Sequence, residues 1–208
     1  MKKTIFVCFA LGCLLFVSCS KDETSETVNQ EDCIKSPLSA EQFGAVLDLL
    51  TDKLGNGTRA GSMNVTEDEM QTILEPCVEG GKQIQQQLME KQYNNEAELD
   101  VILKEDIEAI EAMSEEHLAM LDFVIQVVND DVPDSFYKER VEKALTWSKV
   151  RNCLAAAVGV ANITYLTAQE AVSWRTAWQI AKAVAKRTTG GWIGVAIVMI
   201  SFADCMFD

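Results

Sequence analysis

Four carboxylates, Glu105, Asp106, Glu108 and Glu111, crowd one short stretch of the chain, and paired carboxylates are the groups that general acid and base chemistry uses. They lie opposite Leu99, Ile102, Leu103, Ile107 and Ile110, which repeat at about 3.6 residues. No apolar neighbours on the acidic side imply a pocket, so a solvated helical face is expected there. The stretch NDDVPDSFYKERVE, 129–142, places Glu142 twelfth from Asp131, as a calcium loop would. Pro133 and Phe136 fill positions that need a ligand and a glycine, which excludes that motif. His117, the single histidine, has no Cys or His partner at metal spacing and is expected on the surface of its helix. The glycines of GNGTRAGSMN, 55–64, could cradle a phosphate, but no strand precedes them and no Lys-Ser/Thr pair follows, so a plain loop is expected. The sequence holds no nucleophile elbow, HExxH or P-loop, and nothing in it calls for a cofactor or a metal; an enzyme is not expected.

Chemistry of another kind is written at the N-terminus. Lys2 and Lys3 precede an apolar run from Ile5 to Val17 that is too short to span a bilayer, the layout of a signal peptide. Ordinary secretory cleavage wants small residues at alternate positions, and Phe16-Val17-Ser18-Cys19 lacks the first of them. These residues resemble instead the lipobox of bacterial lipoproteins, with Phe16 where leucine is usual. The resemblance covers residues 1–23 only, and it implies that 1–18 are removed and that Cys19 is acylated and holds the chain to a membrane. Ser20-Lys21-Asp22-Glu23 resembles the acidic tag by which certain Gram-negative bacteria send lipoproteins to the outer face of the outer membrane, which makes Lys21, Asp22 and Glu23 the export signal. Residues 19–35 are polar and aperiodic and read as a disordered, lipidated tether.

The rest of the chain reads as helix. Ser39-Ala40-Glu41-Gln42 is a capping box that opens a helix with Phe43, Val46, Leu47, Leu50 and Leu54 on one face and Gly55 as its stop. Thr66 to Glu69 is a second capping box; its helix turns Met70, Ile73 and Leu74 inward until Pro76 interrupts it, and a further helix is expected around Ile84 and Leu88. Ser114 caps a helix with Leu118, Leu121, Val124, Ile125 and Val128 toward the core. Thr167 to Glu170 is a third capping box, opening a helix that Gly190-Gly191 would end. Strands have no comparable support. The fold class is therefore all-α, a bundle of about six to eight helices.

Charge divides the chain. Residues 19–138 hold eight Lys or Arg against 27 Asp or Glu, whereas 139–208 hold eight against five. Loss of Lys2 and Lys3 takes the net charge from −14 to −16, which disfavours nucleic acid as a partner. The boundaries that follow are an acidic helical region at 36–135 and an apolar, weakly basic one at 136–208, with one core or two left open. The apolar runs 153–168 and 192–207 fall short of the roughly 20 residues a membrane span needs and are expected to be core helices. Between them Arg175, Gln179, Lys182 and Lys186 share one arc of a helix and Trp174 and Trp178 the opposite side. Such a helix can lie on an anionic membrane or in a partner's groove, or it can be an outer helix of the bundle with its tryptophans in the core.

Without Cys8, Cys13 and the acylated Cys19, four cysteines remain. An even number outside the cytoplasm suggests two bridges. Cys153 and Cys205 both lie in the apolar region and are expected to pair, leaving Cys33 with Cys77; four reduced, buried thiols are the alternative. The functional expectation is a surface-exposed lipoprotein with a binding or structural role toward a protein at the cell surface. The alternative takes 139–208, which resembles the helical bacteriocins in composition alone, as a membrane-active unit restrained by the acidic region.

Overall fold

A computed structural model describes residues 33–54, 65–94, 104–129, 147–159 and 172–207. Among these the chain forms seven helices and one short strand pair: β1 (Cys33–Ile34), α1 (Ala40–Leu54), α2 (Glu67–Asn94), α3 (Lys104–Glu111), α4 (Glu115–Val128), α5 (Trp147–Val158), β2 (Val172–Ser173), α6 (Trp174–Ala185) and α7 (Gly191–Phe207). The expected all-α bundle is present. Its axis is α4, in which every residue from Leu118 to Val128 is buried. A helix apolar on nearly all sides has no face to give to water and takes the centre. Phe123 of α4 meets Phe43 of α1 at 6.1 Å and Phe202 of α7 edge-on at 5.5 Å between ring centroids, so a chain of aromatics crosses the interior.

The helix starts follow the sequence closely where a cap was legible. Gln42 N–H donates to Ser39 Oγ at 3.2 Å and Ser39 N–H to Gln42 Oε1 at 3.0 Å, the reciprocal bonds of a capping box. Thr66 and Glu69 repeat the arrangement at 3.2 and 3.1 Å. The expected break at Pro76 does not occur: α2 runs from Glu67 to Asn94 as one helix with Pro76 inside it. Leu74, Cys77, Val78, Ile84 and Leu88 are buried on both sides of the proline, and that continuous apolar contact outweighs the roughly 3 kcal/mol an interior proline costs.

Several boundaries differ from expectation. Thr167 to Glu170 lies outside the described residues, and α6 begins at Trp174, where the Thr176 N–H donates to Ser173 Oγ at 3.3 Å. It ends at Ala185, not at the glycines; Gly190 and Gly191 take positive φ and lead into α7. A short sheet also exists, contrary to the expectation of none, with Cys33 opposite Ser173 and Ile34 opposite Val172 in antiparallel register. It draws residues 33–35 out of the supposed tether: Ile34 is buried, and the carbonyl of Lys35 accepts from Gln87 at 3.2 Å.

The acidic and apolar regions share one core. A single cluster of buried side chains joins Phe43, Leu50, Leu74 and Leu88 to Leu154, Trp178, Val195 and Phe202. Close approach of α2 to α4 depends on Gly80 and Gly81, since a Cβ at Gly81 would strike the backbone carbonyl of Leu118 and one at Gly80 the carboxylate of Asp122. Cys153 of α5 and Cys205 of α7 form the expected disulfide, with Cα atoms 5.5 Å apart. The other expected bridge is not formed: Cys33 and Cys77 are not joined to each other. Cys77 is buried in the core on α2, and Cys33, half-buried, lies in β1 opposite Ser173 of β2.

Gly81→Ala is expected to lower the unfolding free energy by about 1–3 kcal/mol through overpacking, measured by urea denaturation, with the exposed Glu105→Ala within about 0.5 kcal/mol of the parent. Reduction of Cys153–Cys205 opens a loop of 52 residues and is expected to cost about 4 kcal/mol in the same measurement.

Candidate functional site

The polar side chains of the bundle gather at three places. The first is a stripe on α4. Asp122, Gln126 and Asn129 recur at the spacing that aligns one helix face, and all three are buried. Ser36 Oγ donates to Asp122 Oδ1. Gln126 Nε2 donates to Ser36 Oγ at 2.8 Å and to the Leu38 carbonyl at 3.1 Å. Asn129 donates through Nδ2 to the Ile34 carbonyl at 3.3 Å and accepts the Val172 N–H at 2.7 Å. Burial pushes the Asp122 carboxyl up to about 7, against the pull of hydrogen bonds from Ser36 and Cys77. Burial also drives the Cys77 thiol well above its ordinary value, helped by the neighbouring Asp122 charge, so the thiol is a poor nucleophile. The groups of this stripe fasten chain segments to one another.

The second place overturns one expectation and bears on the choice between two others. Asp106, assigned to a solvated acidic face, is only 1% exposed. Lys182 Nζ lies 2.6 Å from its Oδ2 and Lys186 Nζ 2.7 Å from its Oδ1. The carboxylate sits at the periphery of the bundle, covered by the side chains of Lys182 in α6 and Lys186 at its C-cap. Hydrogen bonds from Lys182 and then Lys186 hold its pKa below the ordinary carboxylate value. The two lysines of the basic arc therefore face α3, while Trp174 and Trp178 are buried, so α6 is an outer helix of the bundle and not a ready membrane surface. Arg175, on the same helix, is exposed. Glu105 and Glu108 keep the solvent exposure expected of them.

The third place is the end of α6. His117, expected at the surface, is half-buried between two partners: Nε2 is 2.7 Å from the Arg187 carbonyl and Nδ1 is 2.8 Å from Ser114 Oγ. A carbonyl can only accept, so Nε2 carries the hydrogen. Ser114 stands at the N-cap of α4 as expected but turns its hydroxyl to His117 instead of the helix backbone. Arg187 itself donates to the Ala157 carbonyl at 3.0 Å, at the C-terminal end of α5, and partial burial lowers its pKa. Nearby, the Glu67 carboxylate accepts the Trp192 and Ile193 N–H groups at 2.6 and 3.2 Å and caps α7.

A cavity of about 210 Å³ lies between α2, α4 and α7, lined by Thr72, Glu75, Glu79, Lys82, Glu115 and Trp192 among others. Its one cation is engaged, with Lys82 2.7 Å from Glu79 and 3.8 Å from Glu115. Among the described residues no group of three His, Cys, Asp or Glu side chains is placed to hold a metal ion. Cys19, Lys21, Asp22 and Glu23 lie outside the described residues, as do residues 55–64 and 130–142. No protein-family model, curated protein or solved structure gives a significant match to this chain.

Sequence periodicity found the α4 core face but not its polar stripe, whose signal is three polar residues at four- and three-residue spacing within an apolar helix. Asp106→Asn keeps the shape and removes the charge. It is expected to cost about 1–3 kcal/mol at pH 7 in urea denaturation. A carboxylate with a lowered pKa stabilises the fold at neutral pH and loses that contribution as pH falls through its folded value. The gap between parent and variant should therefore close below pH 3.8.

Proposed function

We propose that this chain is a lipoprotein anchored through Cys19 in a bacterial outer membrane and facing the cell exterior, with the helical bundle as a binding or structural module. The observation that carries the reading is the order of residues at the N-terminus: Lys2-Lys3, the apolar run to Val17, Phe16-Val17-Ser18-Cys19, and then Ser20-Lys21-Asp22-Glu23. Thirteen residues, 20–32, separate Cys19 from β1. At about 3.4 Å each they reach at most roughly 45 Å, enough to hold a bundle clear of lipid headgroups. In this reading the bundle is not an enzyme. Its buried polar groups serve to fasten one element to the next, and its partner is a protein at the cell surface met through the acidic exterior.

The membrane-active alternative has less support. It needs cations and tryptophans on an outer face, whereas Lys182 and Lys186 are bound to Asp106 and both Trp174 and Trp178 are buried. Val195, Met199, Phe202 and Met206 of α7 likewise face the core. No helix among the described residues is long and apolar enough to cross a membrane.

Because the acyl thioether can form only on a cysteine at this position, Cys19→Ala is expected to move the chain from the detergent phase to the aqueous phase on partitioning. Retention in detergent would refute the anchor. Replacing Lys21, Asp22 and Glu23 with alanine should reduce labelling of intact cells by an impermeant reagent while lipidation persists; unchanged labelling would remove the export signal.

A further inference from the structure

The segment Cys33–Leu38 is where the N-terminal residues join the bundle, and it lies on polar ground. Ile34 is its one fully buried side chain; Lys35 and Pro37 are exposed. Beside its pairing with β2, the strap is held by a row of hydrogen bonds: Ser36 donates to Asp122 of α4, while Gln126 and Asn129 of α4 and Gln87 of α2 donate to the carbonyls of Leu38, Ile34 and Lys35. Asp122 is the weak member of the row. Its carboxyl meets the Ser36 hydroxyl from the strap, while Cys77 and the bare Cα of Gly80 face it from α2. Cys77 is the titratable group beside it, and among the described residues no Lys, Arg, Asp, Glu or His of α1, α2, α4, α6 or α7 acts on it. An ionised carboxylate without a cation needs water, and Ser36, half-exposed on the strap, stands between this one and the solvent.

We propose that the strap Cys33–Leu38 is a proton-controlled latch, closed over α4 while Asp122 is protonated and released when Asp122 ionises. Release frees the six residues of the strap, exposes the polar stripe of α4 and parts β1 from β2. For an anchored bundle it lengthens the link to the membrane, a consequence that rests on attachment at Cys19; the latch itself does not. Burial raises the Asp122 pKa from an ordinary 3.8 to about 7. The closed form therefore binds a proton that the open form gives up, so closure is strongest in acid and weakens as pH rises toward 7. Between pH 5 and pH 8 the ratio of open to closed forms should rise by up to about 100-fold, the limit reached when opening returns Asp122 to its ordinary value.

Amide hydrogen exchange on the full chain tests this, expressed as protection factors so that the intrinsic effect of pH is divided out. The strap amides of Ile34 and Leu38 are expected to be less protected than the core amide of Leu88 at every pH, which marks opening without unfolding. Their protection should fall from pH 5 to pH 8, by up to about 100-fold. Asp122→Asn should abolish that fall. Strap protection equal to that of Leu88, protection independent of pH in the parent, or an undiminished fall in Asp122→Asn would each overturn the latch. Ser36→Ala supplies a second test should the asparagine variant fail to fold. It removes the hydroxyl that steadies the ionised carboxylate and should loosen the strap more at pH 8 than at pH 5; equal loosening at both overturns the proposal.

Discussion

A helix placed at the centre of a bundle takes its polar side chains into the interior, and α4 carries three of them there. A buried polar group left without a partner costs about 1–3 kcal/mol. The hydroxyl, carbonyl and N–H groups that meet Asp122, Gln126 and Asn129 come mainly from chain that is not helix, since a second helix spends its own backbone groups internally. The strap at 33–38 meets them with Ser36 and the carbonyls of Ile34 and Leu38, and β2 contributes the Val172 N–H. Asn129 bonds to both, so one side chain brings two distant segments into the register of a two-residue sheet. The glycines of α2 answer to the same demand, because only a residue without a Cβ lets α2 lie against Asp122 and Leu118.

Charge is organised on a second level, across the two regions of the chain. Asp106 from the acidic region holds Lys182 of α6 and Lys186 at its C-cap, and Glu67 from the start of α2 caps α7. His117 at the start of α4 reaches the carbonyl of Arg187 just beyond α6. Each contact joins a group from before residue 138 to one after it, which is why an electrically bipartite chain makes one core. The disulfide acts within the apolar region and joins α5 to α7.

These arrangements bear on function by elimination of vacant chemistry among the described residues. Groups that could have formed a basic face, an acid–base pair or a reactive thiol are engaged in holding elements together: Lys182 and Lys186 by Asp106, Asp122 by Ser36, Cys77 by burial. What the described bundle offers outward is an acidic helical exterior, the surface through which the proposed binding role would act.

Local sequence determined much of the architecture. The capping boxes at Ser39 and Thr66 appear with both reciprocal bonds, because such a cap is closed within four residues and needs nothing from the rest of the chain. The apolar periodicity of α1 and α4 was legible for a related reason: it follows from a preference of the segment itself. Tertiary structure decided the rest. Pro76 stays inside a helix because of what α2 packs against, and Asp106 is buried because α6 arrives over it. Asp122, Gln126 and Asn129 become a docking line only when the strap reaches them from about 90 residues away. A burial or a pairing that depends on a distant segment leaves no mark on local periodicity, since the energy that decides it belongs to a contact the sequence does not contain until the chain has folded.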